Sequence, residues 1–175
     1  MNQTRIWQLI PAVVLVVIVG CAGEAPTGKR ATAPLESRSG STMTGVVGFS
    51  DAGSQVTVTV TVSGATPGTH ASHIHVTGDC TAADATSAAG HWNPDMMNHG
   101  LPSATPHHLG DLGNFTVGAD GTGKLTMTGD WSIGTGEMND VVGHAVVVHA
   151  SPDDGVTQTP PGNAGARQAC GVIKM

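Results

Sequence analysis

The segment QVTVTVTVSG, residues 55–64, alternates valine with threonine along most of its length. Successive side chains of a β-strand point to opposite faces, so this alternation places all four valines on one apolar face. The preceding segment TGVVGFS, residues 44–50, is joined to it by the short sequence DAGS. A short glycine-bearing connection between two strands is typical of an antiparallel hairpin. The two segments therefore predict a hairpin with an apolar inner side.

Six further segments have the character of strands. They are an edge strand near residues 31–37, SHIHV (72–76), NFTVG (114–118), KLTMTG (124–129), HAVVVHA (144–150) and CGVIK (170–174). The composition agrees, because glycine (25) and proline (10) are abundant while aromatic residues make up only 3% of the chain, as is typical of a turn-rich β protein. About eight strands predict an all-β domain, built as a sandwich or a barrel.

Two long segments, residues 77–111 and 150–169, lack strand patterns and are rich in glycine, proline and aspartate. Structureless loops of this length inside a compact domain usually carry function. The histidines of the chain lie in or beside these loops, which makes the loops the expected location of a functional site.

Residues 1–20 have the pattern of a leader that directs export. Arg5 supplies a positive charge, and the apolar run at residues 9–20 is too short to span a bilayer comfortably and ends at Cys21. The sequence IVGC, residues 18–21, resembles a bacterial lipobox, which predicts cleavage before Cys21 and lipidation of its sulfur. A plain signal peptide, or a single membrane anchor with an incidental cysteine, is the alternative.

This interpretation divides the chain into a lipoprotein signal peptide (1–20), a flexible tether (21–40) whose last part can form an edge strand, and a folded domain (41–175). We expect export to the bacterial cell envelope, where the lipid alone holds the protein on a membrane, facing the periplasm or the cell exterior. The formal net charge of −6 argues against a nucleic acid partner.

The three cysteines suit the same compartment. Lipidation of Cys21 leaves Cys80 and Cys170 as an even pair in an oxidising environment. We therefore predict one disulfide between them. A crosslink that closes a loop of about 90 residues stabilises the fold by about 4–5 kcal/mol in the chain-entropy model.

The spacing of the histidines indicates metal binding. His73 and His75 are two residues apart on a predicted strand, so they project to the same side while Ile74 turns into the core. His149 ends the strand HAVVVHA in opposite phase to Val146 and Val148. It can therefore join the pair on the outer surface of the sheet.

The first long loop adds four further candidate ligands: His91, His99, His108 and Asp111. The set now holds seven ligands, whereas two four-coordinate sites need eight positions, so one histidine must serve both metals if both sites exist. Imidazole ligation of tetragonal type suits copper, and three histidines with a carboxylate suit tetrahedral zinc. A histidine-rich loop that binds metal adventitiously is the alternative.

The chain resembles the copper,zinc superoxide dismutases. The resemblance is carried, in order, by HIHVTGDCT, AAGHWNP, NHGLP, HHLGDLGN, GHAVVVHA, SPDDG and GNAGARQACGVI, and it covers about residues 31–175. It implies an eight-stranded antiparallel Greek-key β-barrel, a flattened sandwich with two long functional loops. It implies an oxidoreductase that converts superoxide to dioxygen and hydrogen peroxide, either as a monomer or as a homodimer.

The resemblance also implies individual roles. Copper would be bound by His73, His75, His91 and His149. Zinc would be bound by His91, His99, His108 and Asp111, with His91 as the bridge that also delivers a proton. Asp153 would link a ligand histidine of each metal, and His70 would brace the site by hydrogen bonding. Arg167 would guide the incoming anion, and the disulfide of Cys80 with Cys170 would tie the first loop to the last strand.

Two departures from the family pattern bear on function. Ala71 and Ser72 stand where the family usually has glycine and phenylalanine, which removes an aromatic from the barrel side. The second loop has no lysine before Arg167, which predicts weak electrostatic steering of an anion. A copper-binding or metal-buffering lipoprotein on the same scaffold is the alternative function, but it would be expected to lack the arginine or some ligands. A structural adhesion domain would give no reason for seven ordered ligands.

Overall fold

The computed structural model describes residues 28–51 and 53–175, together with Met1. Residues 2–20 of the predicted signal peptide, the predicted lipidation site Cys21 and residues 22–27 of the predicted tether lie outside the described residues. Across 28–51 and 53–175, the structure contains no helix that is long and apolar enough to cross a membrane.

Eight antiparallel strands form a closed barrel in the order β1-β2-β3-β6-β5-β4-β7-β8. Their bounds are β1 Arg30–Ser37, β2 Thr44–Asp51, β3 Val56–Ser63, β4 Gly68–His75, β5 Asp111–Val117, β6 Gly123–Gly129, β7 Ala145–His149 and β8 Arg167–Val172. The connections from β3 to β4 and from β6 to β7 join strands that are not neighbours, which is Greek-key connectivity. The prediction of an all-β, eight-stranded Greek-key barrel with two long loops is confirmed.

Four strands differ from their predicted form. The strand predicted near 31–37 is β1, but it is not an edge, because it pairs with β2 on one side and with β8 on the other. Strand β4 begins at Gly68, four residues before the predicted start. Strand β5 begins at Asp111 instead of 114, and β8 begins at Arg167 instead of 170. The added residues have no clear alternation of polarity. These residues are extended because they pair with neighbouring strands. The local alternation of polar and apolar residues does not predict it.

The alternation in β3 places its valines in the barrel core as predicted. Val56, Val58, Val60 and Val62 are each at most 3% exposed. Ile74 of β4 and Val146 and Val148 of β7 belong to the same core cluster. Full burial of a side chain of this size stabilises the fold by about 1.5–3 kcal/mol. The opposite faces of β4 and β7 are therefore left to carry the histidines.

A disulfide fixes the first long loop to the barrel. Cys80 and Cys170 are bonded, with their Cα atoms 5.7 Å apart, which confirms the predicted pairing. The loop contains one short 3-10 helix, Thr86–Ala88. Because Cys170 lies in β8, the disulfide holds this loop against the strand that carries Arg167.

Candidate metal centre

Strands β4 and β7 bring three histidines to one side of the barrel wall. His73 and His75 share a face of β4, and their ring centroids are 6.5 Å apart. His149 ends β7, which pairs with β4, and its ring centroid lies 5.0 Å from that of His73. All three side chains are buried. The prediction that strand alternation places these histidines together is confirmed.

These three histidines and His91 form a first metal-binding set. One ring nitrogen from each lies within 4.8 Å of the others. Three of these rings are anchored through their other nitrogen: His73 Nε2 to Asp153 Oδ2 at 2.7 Å, His75 Nδ1 to the Ala89 carbonyl at 2.9 Å and His149 Nδ1 to the Gly165 carbonyl at 3.2 Å. A nitrogen that donates its proton there leaves the opposite nitrogen with a lone pair.

Those opposite nitrogens are buried and have no hydrogen-bond partner among the residues that the structure describes. They are Nδ1 of His73, Nε2 of His75 and Nε2 of His149. A buried polar atom without a partner costs about 1–3 kcal/mol, and three such atoms in one set are explained by a metal ion. A set of four imidazoles suits copper(II).

A second set contains His91, His99, His108 and Asp111, again with ligand atoms within 4.8 Å of one another. The Asp111 carboxylate lies 3.0 Å from Nδ1 of His91, 3.0 Å from Nδ1 of His99 and 3.5 Å from Nδ1 of His108. Despite this proximity, Nδ1 of His99 and Nδ1 of His108 have no partner with hydrogen-bond geometry in the part of the chain that the structure describes. Three imidazoles and one carboxylate suit zinc.

His91 belongs to both sets. Its Nδ1 lies beside Asp111, which leaves Nε2 for the first set. Its ring stacks on that of His73 with centroids 3.8 Å apart. The backbone of the loop brings His91 there by a bridge to His75 of β4. One imidazole thus has a nitrogen available to each of the two sets.

Asp153 connects the two sets from behind. His73 donates from Nε2 to its Oδ2 at 2.7 Å, and His99 donates from Nε2 to its Oδ1 at 2.9 Å. Asn114 holds the Asp153 main chain on both sides, donating to its carbonyl at 2.8 Å and accepting from its N–H at 2.7 Å. Gly162 has a φ of +70°, and a Cβ there would lie 2.6 Å from the Asp153 carboxyl group. Glycine is required at that position.

Comparison with known proteins identifies the family. The family model described as copper/zinc superoxide dismutase matches residues 43–173. The chain belongs to this family. It is 44% identical over 137 residues to superoxide dismutase [Cu-Zn] 2 of Brassica juncea, which covers 75% of this chain and 89% of that protein. A solved structure described as the clock protein EA4 has a TM-score of 0.73 and 31% identity, and the match covers 86% of this chain and 96% of that one.

Membership of the copper/zinc superoxide dismutase family gives the chain its activity and its metals. It is an oxidoreductase that dismutes superoxide, and its cofactors are copper and zinc. The two histidine sets fit these two ions.

In this superoxide dismutase, the protonation of the site favours metal binding. Burial lowers the pKa of His73 to about 4 and that of His149 to about 3, and burial also lowers the pKa of His75 well below its usual value. These rings are therefore neutral near pH 7, which is the form that binds metal. Burial alone would raise the pKa of Asp153, but the hydrogen bonds from His73 and His99 outweigh it and hold that pKa well below its usual value.

Arg167 lies beside the first set. It is paired with His149 across the β7–β8 ladder. Its Nη1 donates to the Ala85 carbonyl at 2.7 Å, in the loop that the Cys80 disulfide holds. Partial burial lowers the pKa of Arg167, yet a guanidinium remains charged at all physiological pH values. The disulfide, the loop and the arginine thus form one connected support.

The other histidines lie outside both sets. His70 is buried, with Nδ1 2.7 Å from the His149 carbonyl and Nε2 2.8 Å from the Thr66 carbonyl, as expected of a residue that braces the end of β7. His107 contacts the His108 carbonyl at 2.8 Å. His144 contacts the Val76 carbonyl and lies against Trp92 with ring centroids 4.3 Å apart.

Three residues next to the site were not predicted from the sequence: Asn114 and Gly162, which contact Asp153, and Gln158, whose side-chain amide hydrogen-bonds the His99 main chain. Asn114 is the last residue of the motif HHLGDLGN and directly follows Gly113, so its position was visible, but its partner Asp153 is 39 residues away. The departure at Ala71 and Ser72 leaves the ligand positions intact. Both residues are fully buried, and the Ser72 hydroxyl has no hydrogen-bond partner among the described residues.

Proposed function

We propose that this superoxide dismutase binds copper through His73, His75, His91 and His149, and zinc through His91, His99, His108 and Asp111. The unpartnered buried nitrogens of both sets carry this assignment. Copper bound there supplies the one-electron redox chemistry by which two superoxide ions and two protons become dioxygen and hydrogen peroxide.

His91 is the proton carrier in this proposal. Its Nδ1 stays beside Asp111, at 3.0 Å in the structure, while Nε2 is the atom that takes up a proton and passes it to the product peroxide. Fixing one nitrogen keeps the ring in place while the other changes its protonation state. A group that must move a proton at each turnover is thereby kept within reach of the reacting oxygen.

Arg167 binds the anion in this proposal. Its Nη1 is held by the Ala85 carbonyl, so the guanidinium is preorganised beside His149. A fixed positive charge with several N–H donors stabilises a small anion in a partly desolvated site. No residue of the loop at 150–166 is a lysine or an arginine, so in this proposal the binding of superoxide depends on Arg167, the first residue of β8.

The test is a metal analysis of the purified full-length protein together with a superoxide-consumption assay. We expect one copper and one zinc per chain and rapid consumption of superoxide. A protein that holds copper at the first set without consuming superoxide would instead support the metal-buffering alternative. A protein that holds neither metal would contradict the assignment of both sets.

We further propose that the chain is an exported lipoprotein, anchored at Cys21 in the bacterial cell envelope. The support is the charged start, the short apolar run at residues 9–20 and the IVGC sequence. Because β1 begins at Arg30, the tether between the lipid and the barrel is short. Labelling with a radioactive fatty acid should mark the wild-type protein and leave Cys21→Ser unlabelled, whereas equal labelling would contradict the anchor.

A further inference from the structure

Gln158 holds the main chain of His99 from the opposite loop. Its side-chain Oε1 accepts a hydrogen bond from the His99 N–H at 2.9 Å, and its Nε2 donates to the His99 carbonyl at 3.1 Å. The amide thus pairs with His99 as a neighbouring strand would. The two residues are 59 positions apart in the chain, one in each long loop.

His99 depends on this contact because it lies outside the strands. Within 28–51 and 53–175, no other group forms a hydrogen bond with the His99 N–H or carbonyl. His99 is only 4% exposed. Its side chain is held by Asp153, which accepts a hydrogen bond from Nε2. The main chain of His99 is therefore fixed by Gln158, and its side chain by Asp153, both from the second loop.

The backbone that carries Gln158 is itself well fixed. The Asp154 carboxylate accepts hydrogen bonds from the main-chain N–H groups of Val156 and Thr157, at 3.0 and 2.8 Å. The Asp154 N–H donates to the Gly162 carbonyl at 3.0 Å, which closes the turn that contains Gln158. Because this turn is closed, the Gln158 backbone is held in place, and its side chain can fix the position of the His99 main chain.

The contact requires an amide. Nε2 of Gln158 has two protons, and it donates one to the His99 carbonyl and one to the Val156 carbonyl at 3.0 Å. Oε1 is the acceptor for the His99 N–H. Glutamate has the same size but no N–H to donate. One of its carboxylate oxygens would lie against the carbonyl oxygens of His99 and Val156, and these atoms would repel each other.

We infer that Gln158 is a positioning residue for the zinc site, acting on Nδ1 of His99 through the His99 main chain. This inference rests on the proposed role of His99 as a zinc ligand. Outer groups that orient a ligand typically change metal affinity by about 10–100-fold when they are removed. The loop at 150–166 thus contributes to zinc binding through two residues, Asp153 and Gln158, that are not themselves in the ligand set.

The test uses full-length protein that carries copper in its reduced state and Co²⁺ in place of zinc. Reduced copper has a filled d shell, so the visible d–d bands report the Co²⁺ geometry alone. Gln158→Glu and Gln158→Ala should release Co²⁺ to excess chelator about 10-fold faster than wild type and should change the d–d band shape. Gln168→Glu, the same chemical change on β8, should match wild type in both measurements.

Wild-type release rates and spectra for both Gln158 variants would overturn this inference. His99→Ala, measured in parallel, separates that failure from failure of the proposed function. A His99→Ala protein that keeps the wild-type Co²⁺ spectrum would show that His99 is not a ligand. Loss of the spectrum in His99→Ala, with unchanged Gln158 variants, would leave the zinc site as proposed and refute only the role of Gln158.

Discussion

Nε2 of His73 donates a 2.7 Å hydrogen bond to Oδ2 of Asp153. The other oxygen of the same carboxylate accepts from Nε2 of His99 at 2.9 Å. Each donation fixes the proton on Nε2, so Nδ1 of each ring keeps the lone pair that a metal needs. One carboxylate thereby sets the tautomer of a ligand in each metal set.

Replacing Asp153 should weaken both metal sites. In Asp153→Asn the amide has one acceptor for two donating rings, so one of them loses its fixed tautomer. We expect copper and zinc affinities about 10–100-fold lower, measured by competition with a chelator of known affinity. Asp120→Asn is the matched control, because Asp120 is exposed and its carboxylate accepts hydrogen bonds from Thr122 in the turn between β5 and β6, away from both metal sets. Equal losses in the two variants would contradict the bridging role of Asp153.

Arg167→Gln should lower turnover without removing metal. The substitution keeps a polar side chain but loses the fixed positive charge beside His149. We expect kcat/KM for superoxide to fall by at least about ten-fold, with copper and zinc contents as in wild type. Lys124→Gln removes the same charge from β6 and should leave the rate unchanged. Comparable rates for Arg167→Gln and wild type would refute the role of Arg167 in anion binding.

The reaction rate should depend only weakly on salt. Arg167 directly follows the second loop, which contains Asp153 and Asp154 but no lysine or arginine. The chain as a whole has a net charge of −6. The long-range electrostatic attraction of superoxide to the protein is therefore small, so its screening by salt has little effect on the rate. We expect the bimolecular rate constant to change by less than about three-fold between roughly 0.01 and 0.15 M salt. A steep fall with ionic strength would show strong steering that the charges do not predict.

The metal-free protein should lose stability as the pH falls from about 6.5 to 4. Burial lowers the pKa of His73 to about 4 and that of His149 to about 3. In this window the unfolded chain binds protons at both residues while the folded chain does not, so the free energy of unfolding decreases with acidity. Denaturant unfolding at pH 5.0 should give a value lower than at pH 7.5 by about 2 kcal/mol for each of the two histidines, and so by on the order of 4 kcal/mol.

Two variants test the origin of this acid sensitivity. Metal-free His149→Ala should lose part of the pH dependence, because one buried neutral ring is gone. His107→Ala should keep it, since His107 lies outside both metal sets. A flat profile in wild type, or an equal change in the two variants, would show that the buried ligand histidines do not cause the effect.

Much of the fold was readable from local pattern. Alternation in β3 identified its buried face, and the two-residue spacing of His73 and His75 identified a shared outer face, because side-chain direction in a strand follows from sequence position alone. The resemblance to the superoxide dismutases supplied the assignment of His91 to both sets. The geometry then agreed with the ligand groups.

The supports of the site could not be read in the same way. Asn114 holds Asp153 from 39 positions away, and Gln158 holds His99 from 59 positions away. An isolated polar residue in a strand or loop gives no sign of its distant partner. Local pattern also did not show that β1 pairs with β8, because that pairing depends on tertiary contact, and the barrel was expected only from the resemblance.

The most direct test of the two-site account is the metal content and activity of His149→Ala. This residue belongs to the first set alone, and its unpartnered Nε2 is one of the proposed copper ligands. We expect loss of copper and of superoxide consumption, with zinc still bound at about one ion per chain. Retained copper and activity, or loss of zinc together with copper, would contradict it.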